Sequence, residues 1–278
     1  GHFGLVHDGC IPMSLSPIAA LRSFLLDMDG TVYLGPNPIP GAPEFIRFLR
    51  ETDRRFLFFT NNPSSDAAYY AAKLRGMGIE AEPANILTAG EATARYLASE
   101  TPYRRVFVLG TPSFEEELRR AGLEIVTEDP EAVVLAFDKT LTYAKLEKAC
   151  LLLAAGLPYI ATNPDRVCPT EYGYIPDCGA TAALIEAATR GNRAQGRVPH
   201  YIGKPNPEMA RMGLNKLGVN AGTAAMVGDR LYTDMEMAHR AGIVSVLVLS
   251  GETAAADLET APRRPEYVFA SVRELHRR

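Results

Sequence analysis

Ser23-Phe24-Leu25-Leu26-Asp27-Met28-Asp29-Gly30-Thr31 is the stretch whose reading decides the fold. An apolar run ending in a turn reads as a buried strand that finishes near Asp27. Open α/β sheets carry their ligand sites at that carboxyl edge. Asp27 and Asp29 are two residues apart, so on an extended segment their side chains point the same way. Two neighbouring carboxylates raise one another's pKa unless positive charge lies between them. A hard divalent cation supplies that charge and prefers oxygen ligands. Gly30 lets backbone approach a ligand, and Thr31 offers a hydroxyl and a helix start. Taken alone, Asp29-Gly30 also fits an ordinary strand-end turn followed by a helix cap.

Three further segments repeat the pattern. Phe58-Phe59-Thr60-Asn61-Asn62-Pro63 closes a second apolar run with a hydroxyl and a carboxamide, groups that hydrogen-bond anionic oxygens. It also fits a plain turn ahead of a Ser64/Ser65 helix cap. Gly203-Lys204-Pro205-Asn206-Pro207 sets one lysine between a strand and a helix begun at Pro207. That lysine is a point charge for phosphate or for a pair of carboxylates, or else a surface lysine in a proline-rich loop. Met226-Val227-Gly228-Asp229-Arg230-Leu231-Tyr232-Thr233-Asp234 again ends a strand in Gly-Asp. Asp229 suits a cation. Asp234 suits either orienting Lys204 or a favourable first-turn helix position. A parallel sheet would bring all four segments to one edge. Three or four carboxylates, a lysine, a hydroxyl and loop amides together suit Mg2+-assisted phosphoryl transfer.

Short apolar runs alternate with helical patterns along most of the chain, which argues α/β with a mainly parallel sheet. Strands are expected at 23–26, 55–59, 106–109, 132–136, 159–161, 201–202, 224–227 and 244–249. Helices are expected at 42–51, 66–76, 91–99, 114–121, 143–155, 181–190, 207–217 and 234–241. Loop-like composition at 80–85 and 191–198 marks two linkers. The reading is a discontinuous first domain, 1–82 plus 195–278, with an inserted α/β lobe over 83–194.

The 278 residues, 47% hydrophobic and 22% charged, have an ordinary globular balance. A net charge of −4 leaves no electrostatic footprint for a nucleic acid polymer or an anionic membrane. The longest apolar stretch, 150–161, is too short to span a bilayer and contains Pro158. Cys10, Cys150, Cys168 and Cys178 form no CxxC pair and read as reduced thiols of a cytoplasmic protein. The first dozen residues lack the form of a signal peptide, Gly1-His2 reads as an expression remnant, and Met13 as nearer a native start. Tyr69 and Tyr70 read as packing on a helix face.

At these motifs the chain resembles the haloacid dehalogenase (HAD) superfamily of phosphatases. Asp27-Met28-Asp29-Gly30-Thr31-Val32-Tyr33-Leu34-Gly35, Thr60-Asn61-Asn62-Pro63-Ser64-Ser65, Ala161-Thr162-Asn163-Pro164-Asp165, Gly203-Lys204-Pro205 and Gly228-Asp229-Arg230-Leu231-Tyr232-Thr233-Asp234 are similar to subfamily IIA. That group holds the NagD-like nucleotide phosphatases, the 4-nitrophenylphosphatases and the pyridoxal- and glycolate-phosphate phosphatases. The resemblance implies a Rossmann-like parallel-sheet core with an inserted α/β cap of C2 type. It implies Mg2+ and a small phosphorylated metabolite, with a dimer through the cap as the fitting assembly. Asp27 would be nucleophile and metal ligand. Asp29 would be general acid and base, with its main-chain carbonyl on the metal. Thr60 and the Asn61 amide would hold phosphoryl oxygens, and Lys204 would neutralise an aspartyl-phosphate. Asp229 would complete the metal site. Asp234, Gly30, Thr31 and Asn62 would support it. Within the cap, the segments holding Asn163, Asp165 and Gly179 either face the leaving group or are ordinary cap loops and a helix cap. A phosphotransferase or mutase would use the same groups on a sugar hydroxyl. A phosphoacceptor switch would use Asp27 alone, and the inserted lobe has no purpose in one.

Overall fold

The computed structural model describes residues 17–62, 65–170, 172–191 and 194–276. The expectations placed on Gly1, His2, Cys10, Met13, Pro63 and Ser64 lie outside them. The strands are β1 (Ser23–Asp27), β2 (Tyr33–Leu34), β3 (Asn37–Pro38), β4 (Arg55–Thr60), β5 (Ile86–Thr88), β6 (Arg105–Leu109), β7 (Glu124–Ile125), β8 (Ala132–Leu135), β9 (Tyr159–Ala161), β10 (Val167–Thr170), β11 (Gly173–Pro176), β12 (His200–Tyr201), β13 (Ala224–Gly228), β14 (Val244–Val248) and β15 (Tyr267–Phe269). The helices used below are α1 (Ala42–Glu51), α2 (Ala67–Gly76), α3 (Ala89–Glu100), α4 (Pro112–Arg120), α5 (Tyr143–Ala154), α6 (Cys178–Arg190), α7 (Pro207–Leu217) and α8 (Glu236–Ala241).

Two parallel sheets organise the chain. The first runs β15-β14-β13-β1-β4-β5 and the second β12-β9-β8-β6-β7. Strand β1 is central because every residue in it is buried. Its alternate residues supply two cores. Leu25, in register with Leu57 and Met226, faces the cluster that holds Met209, Ala210 and Met237 of α7 and α8. Leu26, in register with Phe58 and Val227, faces Phe45, Ile46 and Leu49 of α1 and Tyr70, Ala71 and Leu74 of α2. Each such side chain contributes about 1.5–3 kcal/mol when fully buried. A third cluster covers the second sheet, where Leu109, Val133 and Leu135 pack on Ala149, Leu153, Ala182 and Ile185.

Local signals set the helix starts. Asp66 Oδ1 accepts the Tyr69 N–H at 2.9 Å to open α2, and Thr88 and Thr142 open α3 and α5 in the same way. Such caps contribute about 1 kcal/mol each. No helix among the described residues is long and apolar enough to cross a membrane.

The expected boundaries near 82 and 195 do not coincide with sheet membership. Strand β5 still pairs with β4, and β12 still pairs with β9. The chain therefore leaves the first sheet after Thr88 and the second after Tyr201. The short strands β2, β3, β5, β7 and β15 carry too little alternation to be read from the sequence. The polar 191–198 loop precedes the last strand of the second sheet rather than ending it. Its Arg197 donates to the carbonyls of Leu153 and Leu157 at the end of α5.

Candidate active site

The chain runs outward from β1 to β4 and β5 on one side, and from β13 to β14 and β15 on the other. The order reverses between β1 and β13, the position at which open sheets leave a crevice. Asp27 ends β1 and Asp229 follows β13, so both carboxylates open onto that crevice.

Lys204 ties the site together. Its ammonium donates to Asp27 Oδ1 at 2.6 Å and to Asp234 Oδ1 at 2.7 Å, with only 4% of the residue exposed. Asp234 Oδ2 accepts the Arg230 N–H at 3.2 Å. Asp229 Oδ2 accepts the Glu252 N–H at 2.7 Å, from the loop after β14. The Thr31 hydroxyl lies 3.5 Å from Asp27 Oδ2 and 3.4 Å from Asp229 Oδ1, so these two oxygens converge on one point. Gly30 has φ +83°, and a methyl group on it would overlap the Asp229 carboxylate. The Ser250 hydroxyl donates to the Gly30 carbonyl at 2.8 Å and fixes this turn.

Charge explains the titration. Burial, then repulsion from Asp27 and Asp234, pushes the Asp229 carboxyl well above the usual range. Burial and Asp27 push Asp234 up as well, against the pull of Lys204. Burial alone would lower Lys204, but Asp234 and Asp27 outweigh it and keep the ammonium charged. Lys204, with the Arg230 guanidinium beside Asp27 and Asp229, is set against three carboxylates, and the surplus is negative.

One carboxylate oxygen from each of Asp27, Asp229 and Asp234 lies within 4.8 Å of the other two. Asp234 has both oxygens engaged by Lys204 and Arg230, which leaves Asp27 and Asp229 as the ligands that could hold a cation. An all-oxygen, buried, net-negative donor set suits a hard ion. In the same cavity wall the Thr233 hydroxyl is buried and has no hydrogen-bond partner among the described residues. The residues fit a bound cation with ordered ligands.

A cavity of about 420 Å³ opens above Asp27. Its walls include Asp29, Thr60, Asn61 and Asn62 from the first sheet's loops, and Lys139, Asp165, Cys168 and Asp177 from the inserted lobe. Asp29 is exposed, and its carboxylate stands apart from the acidic cluster. Thr60 Oγ1 accepts the Asn62 N–H at 3.1 Å. The Asn61 carboxamide is engaged by Lys204 and Asp165, so only its main chain is left for phosphoryl oxygens.

Several expectations change. Asp234 satisfies both readings, since it stands in the first turn of a helical segment and also holds Lys204. The segment begins earlier than expected, as a wide π-helical turn over Leu231–Met235 that continues into α8 at Glu236, and Asp234 is fully buried in it. Of the three inserted-lobe residues, only Asp165 lines the cavity. Asn163 is fully buried and donates to Asp165 at 2.8 Å and to Asp177 at 3.3 Å. Gly179 packs against the carbonyls of Pro164 and Asp165, where a methyl group would overlap them. Burial pushes the Asp177 carboxyl up to about 6, partly offset by the Cys178 N–H. Tyr69 is exposed rather than packed, and it lines the cavity with Tyr70.

Sequence reasoning missed Lys73, Lys139 and Thr233, which stand in the wall. It also missed the Ser250-Gly251-Glu252 turn behind Asp229. The signal for the turn was there: an apolar strand ends in Ser-Gly, and a side chain on Gly251 would overlap Asp229.

Comparison with known proteins agrees with this geometry. A family described as haloacid dehalogenase-like hydrolase matches residues 24–124, and a second, HAD-hydrolase-like, matches 201–275. A dihydroxyacetone phosphatase of Corynebacterium glutamicum is 36% identical over 91% of this chain and 90% of its own length. The crystal structure of a 4-nitrophenylphosphatase from Thermotoga maritima superposes with a TM-score of 0.86 at 47% identity, over 93% of this chain and 97% of that one. A glycerol phosphate phosphatase of Mycobacterium tuberculosis, solved in complex with magnesium, gives 0.84 at 34% identity over 94% of this chain and 78% of that one. The chain belongs to the haloacid dehalogenase-like hydrolases, and within them to the NagD-like phosphatases.

Proposed function

We propose that the protein is a Mg2+-dependent phosphomonoesterase that hydrolyses small phosphorylated metabolites through an aspartyl-phosphate on Asp27. One observation carries this reading. Lys204 holds Asp27 by one oxygen, at 2.6 Å, and leaves the other beside Asp229. Asp27, Asp229 and the Asp29 carbonyl would hold the ion, which supplies positive charge against the phosphoryl oxygens.

Asp27 attacks phosphorus as the ester P–O bond breaks, while Lys204 offsets charge on the acyl phosphate. Asp29, exposed in the cavity, gives its proton to the departing alkoxide. It then takes a proton from the water that attacks phosphorus, releasing phosphate and restoring Asp27. Thr60 and the loop amides position the phosphoryl group. Residues 89–202 act as the cap that excludes bulk water from the acyl phosphate. The names of the relatives, a dihydroxyacetone phosphatase and a glycerol phosphate phosphatase, support small three-carbon phosphates as substrates. The cavity supports them too, since its wall mixes donors such as Lys73 and Lys139 with acceptors such as Asp165 and Asp177.

Phosphate release from 4-nitrophenyl phosphate, glycerol phosphate and dihydroxyacetone phosphate tests the reading. Turnover should stop with EDTA and return with Mg2+. Full activity in EDTA would refute the cation's role, and phosphate carried to an added sugar in place of water would refute hydrolysis.

A further inference from the structure

Lys204 sits where the chain returns from the second sheet to the first. Strand β12, which ends at Tyr201, belongs to the second sheet. Pairing continues past it, with the Ile202 N–H on the Ala161 carbonyl at 3.0 Å and the Gly203 N–H on the Thr162 carbonyl at 2.7 Å. Three residues after Lys204, α7 begins and packs under Leu25, Leu57 and Phe59 of the first sheet. The backbone of Lys204 is therefore placed by the inserted lobe, while its ammonium is used by the first sheet.

One side chain spans this junction. Asn61, in the loop after β4, accepts the Lys204 N–H at 2.8 Å and donates to the Lys204 carbonyl at 2.9 Å. The same Nδ2 donates to Asp165 Oδ2 at 2.9 Å, in the loop after β9. Both amide hydrogens and the amide oxygen of Asn61 are thereby used. Asp165 is steadied from behind by Asn163 at 2.8 Å. Gly203 is required beside this clasp, because a methyl group there would overlap the Thr162 carbonyl and the Asn61 amide oxygen.

We infer that Asn61 and Asp165 form a clasp that makes seating of the inserted lobe and placement of Lys204 one event. Asn61 is a positioning residue: it acts on the phosphoryl group through Lys204. With the lobe seated, Asp165 fixes the Asn61 carboxamide, which fixes the Lys204 backbone and so its ammonium on Asp27. With the lobe displaced, Asn61 loses one partner, and the Gly203–Thr162 bond draws Lys204 away with the lobe. Acyl-phosphate chemistry is then supported only when the cavity is closed to bulk water.

The inference rests on the phosphatase reading above, so the parent enzyme is measured first with Mg2+ and 4-nitrophenyl phosphate. Asn61→Asp sets a carboxylate against Asp165 and the Lys204 carbonyl, and kcat should fall about 100-fold, a loss of the size seen when one electrostatic contact is removed. Asp165→Asn keeps an acceptor for Asn61 and should lower kcat less than Asn61→Asp does. Combining the two restores an acid–amide pair in reverse, and kcat should recover at least about tenfold over Asn61→Asp, with KM changed less than kcat. Should Asn61→Asp not fold, Asn61→Ala and Asp165→Ala are compared singly and together. A shared clasp makes the double variant no slower than Asn61→Ala. Losses that multiply independently, or a reversed pair as slow as Asn61→Asp, would overturn the clasp while leaving the phosphatase reading intact. An inactive parent would overturn both.

Discussion

Removing the Lys204 charge should unfasten the site in a pH-dependent way. In Lys204→Met the alkyl length is kept, so packing changes little while the charge is lost. Asp234, with 0% exposure, is left with a single N–H donor, and Asp27 and Asp229 face it without an intervening positive group. Stripping one partner from a buried ion pair costs about 3–5 kcal/mol. The protein can relieve this by protonating a carboxyl, since each unit of pKa rise is worth about 1.4 kcal/mol. The sign follows from proton counts. A carboxyl whose folded pKa is raised binds more protons folded than unfolded, so stability falls as pH climbs from the unfolded carboxylate range through the raised folded value. The deficit of Lys204→Met against the parent should therefore approach about 3–5 kcal/mol near pH 8 and shrink towards pH 5. Saturating Mg2+ should return roughly 2–3 kcal/mol at 100 times its Kd. Urea denaturation at both pH values, with and without Mg2+, reads these quantities. A deficit below about 1 kcal/mol, or one independent of pH, would refute the charge balance described for the cluster.

Other perturbations read other parts of the structure. Gly30→Ala forces a left-handed residue and drives a methyl group into Asp229; it should cost about 1–3 kcal/mol and weaken Mg2+ binding by calorimetry, and unchanged affinity would count against Asp229 as a ligand. Glu117, on α4, has its carboxyl pushed up to about 7 by burial and by the nearby Glu91 and Asp66. The parent should lose stability as pH rises between the unfolded carboxylate range and 7. Glu117→Gln should match it near pH 4 and exceed it by about 1 kcal/mol at pH 8 in thermal melts, a figure discounted for solvent access. Equal melting profiles at both pH values would contradict the repulsion.

The motif residues were legible because strand ends write their chemistry locally. An apolar run, an acid and a glycine suffice to place Asp27 and Asp229, and the parallel order of β1 and β13 then brings them together. The role of Asp234 was legible only as a choice between two readings. The two turn out to be compatible: a wide π-helical first turn carries Asp234 and directs its carboxylate at Lys204, and nothing in the local composition encodes that winding. The chain passes between the sheets after Thr88 and Tyr201 rather than near 82 and 195, because short edge strands such as Ile86–Thr88 acquire their sheet from a neighbour, not from their own pattern. Lys73 and Lys139 in the cavity wall were invisible for a similar reason. Each lies on an ordinary amphipathic or loop segment, and only packing of the lobe over the sheet edge makes it part of a site.

Reductive trapping of the enzyme during turnover tests the nucleophile most directly. Borohydride converts an aspartyl-phosphate to homoserine, which peptide mass spectrometry locates. Homoserine at position 27, dependent on substrate and Mg2+ and lost in Asp27→Asn, is the expected result. An active enzyme that yields none, or yields it at another acid, would contradict attack by Asp27.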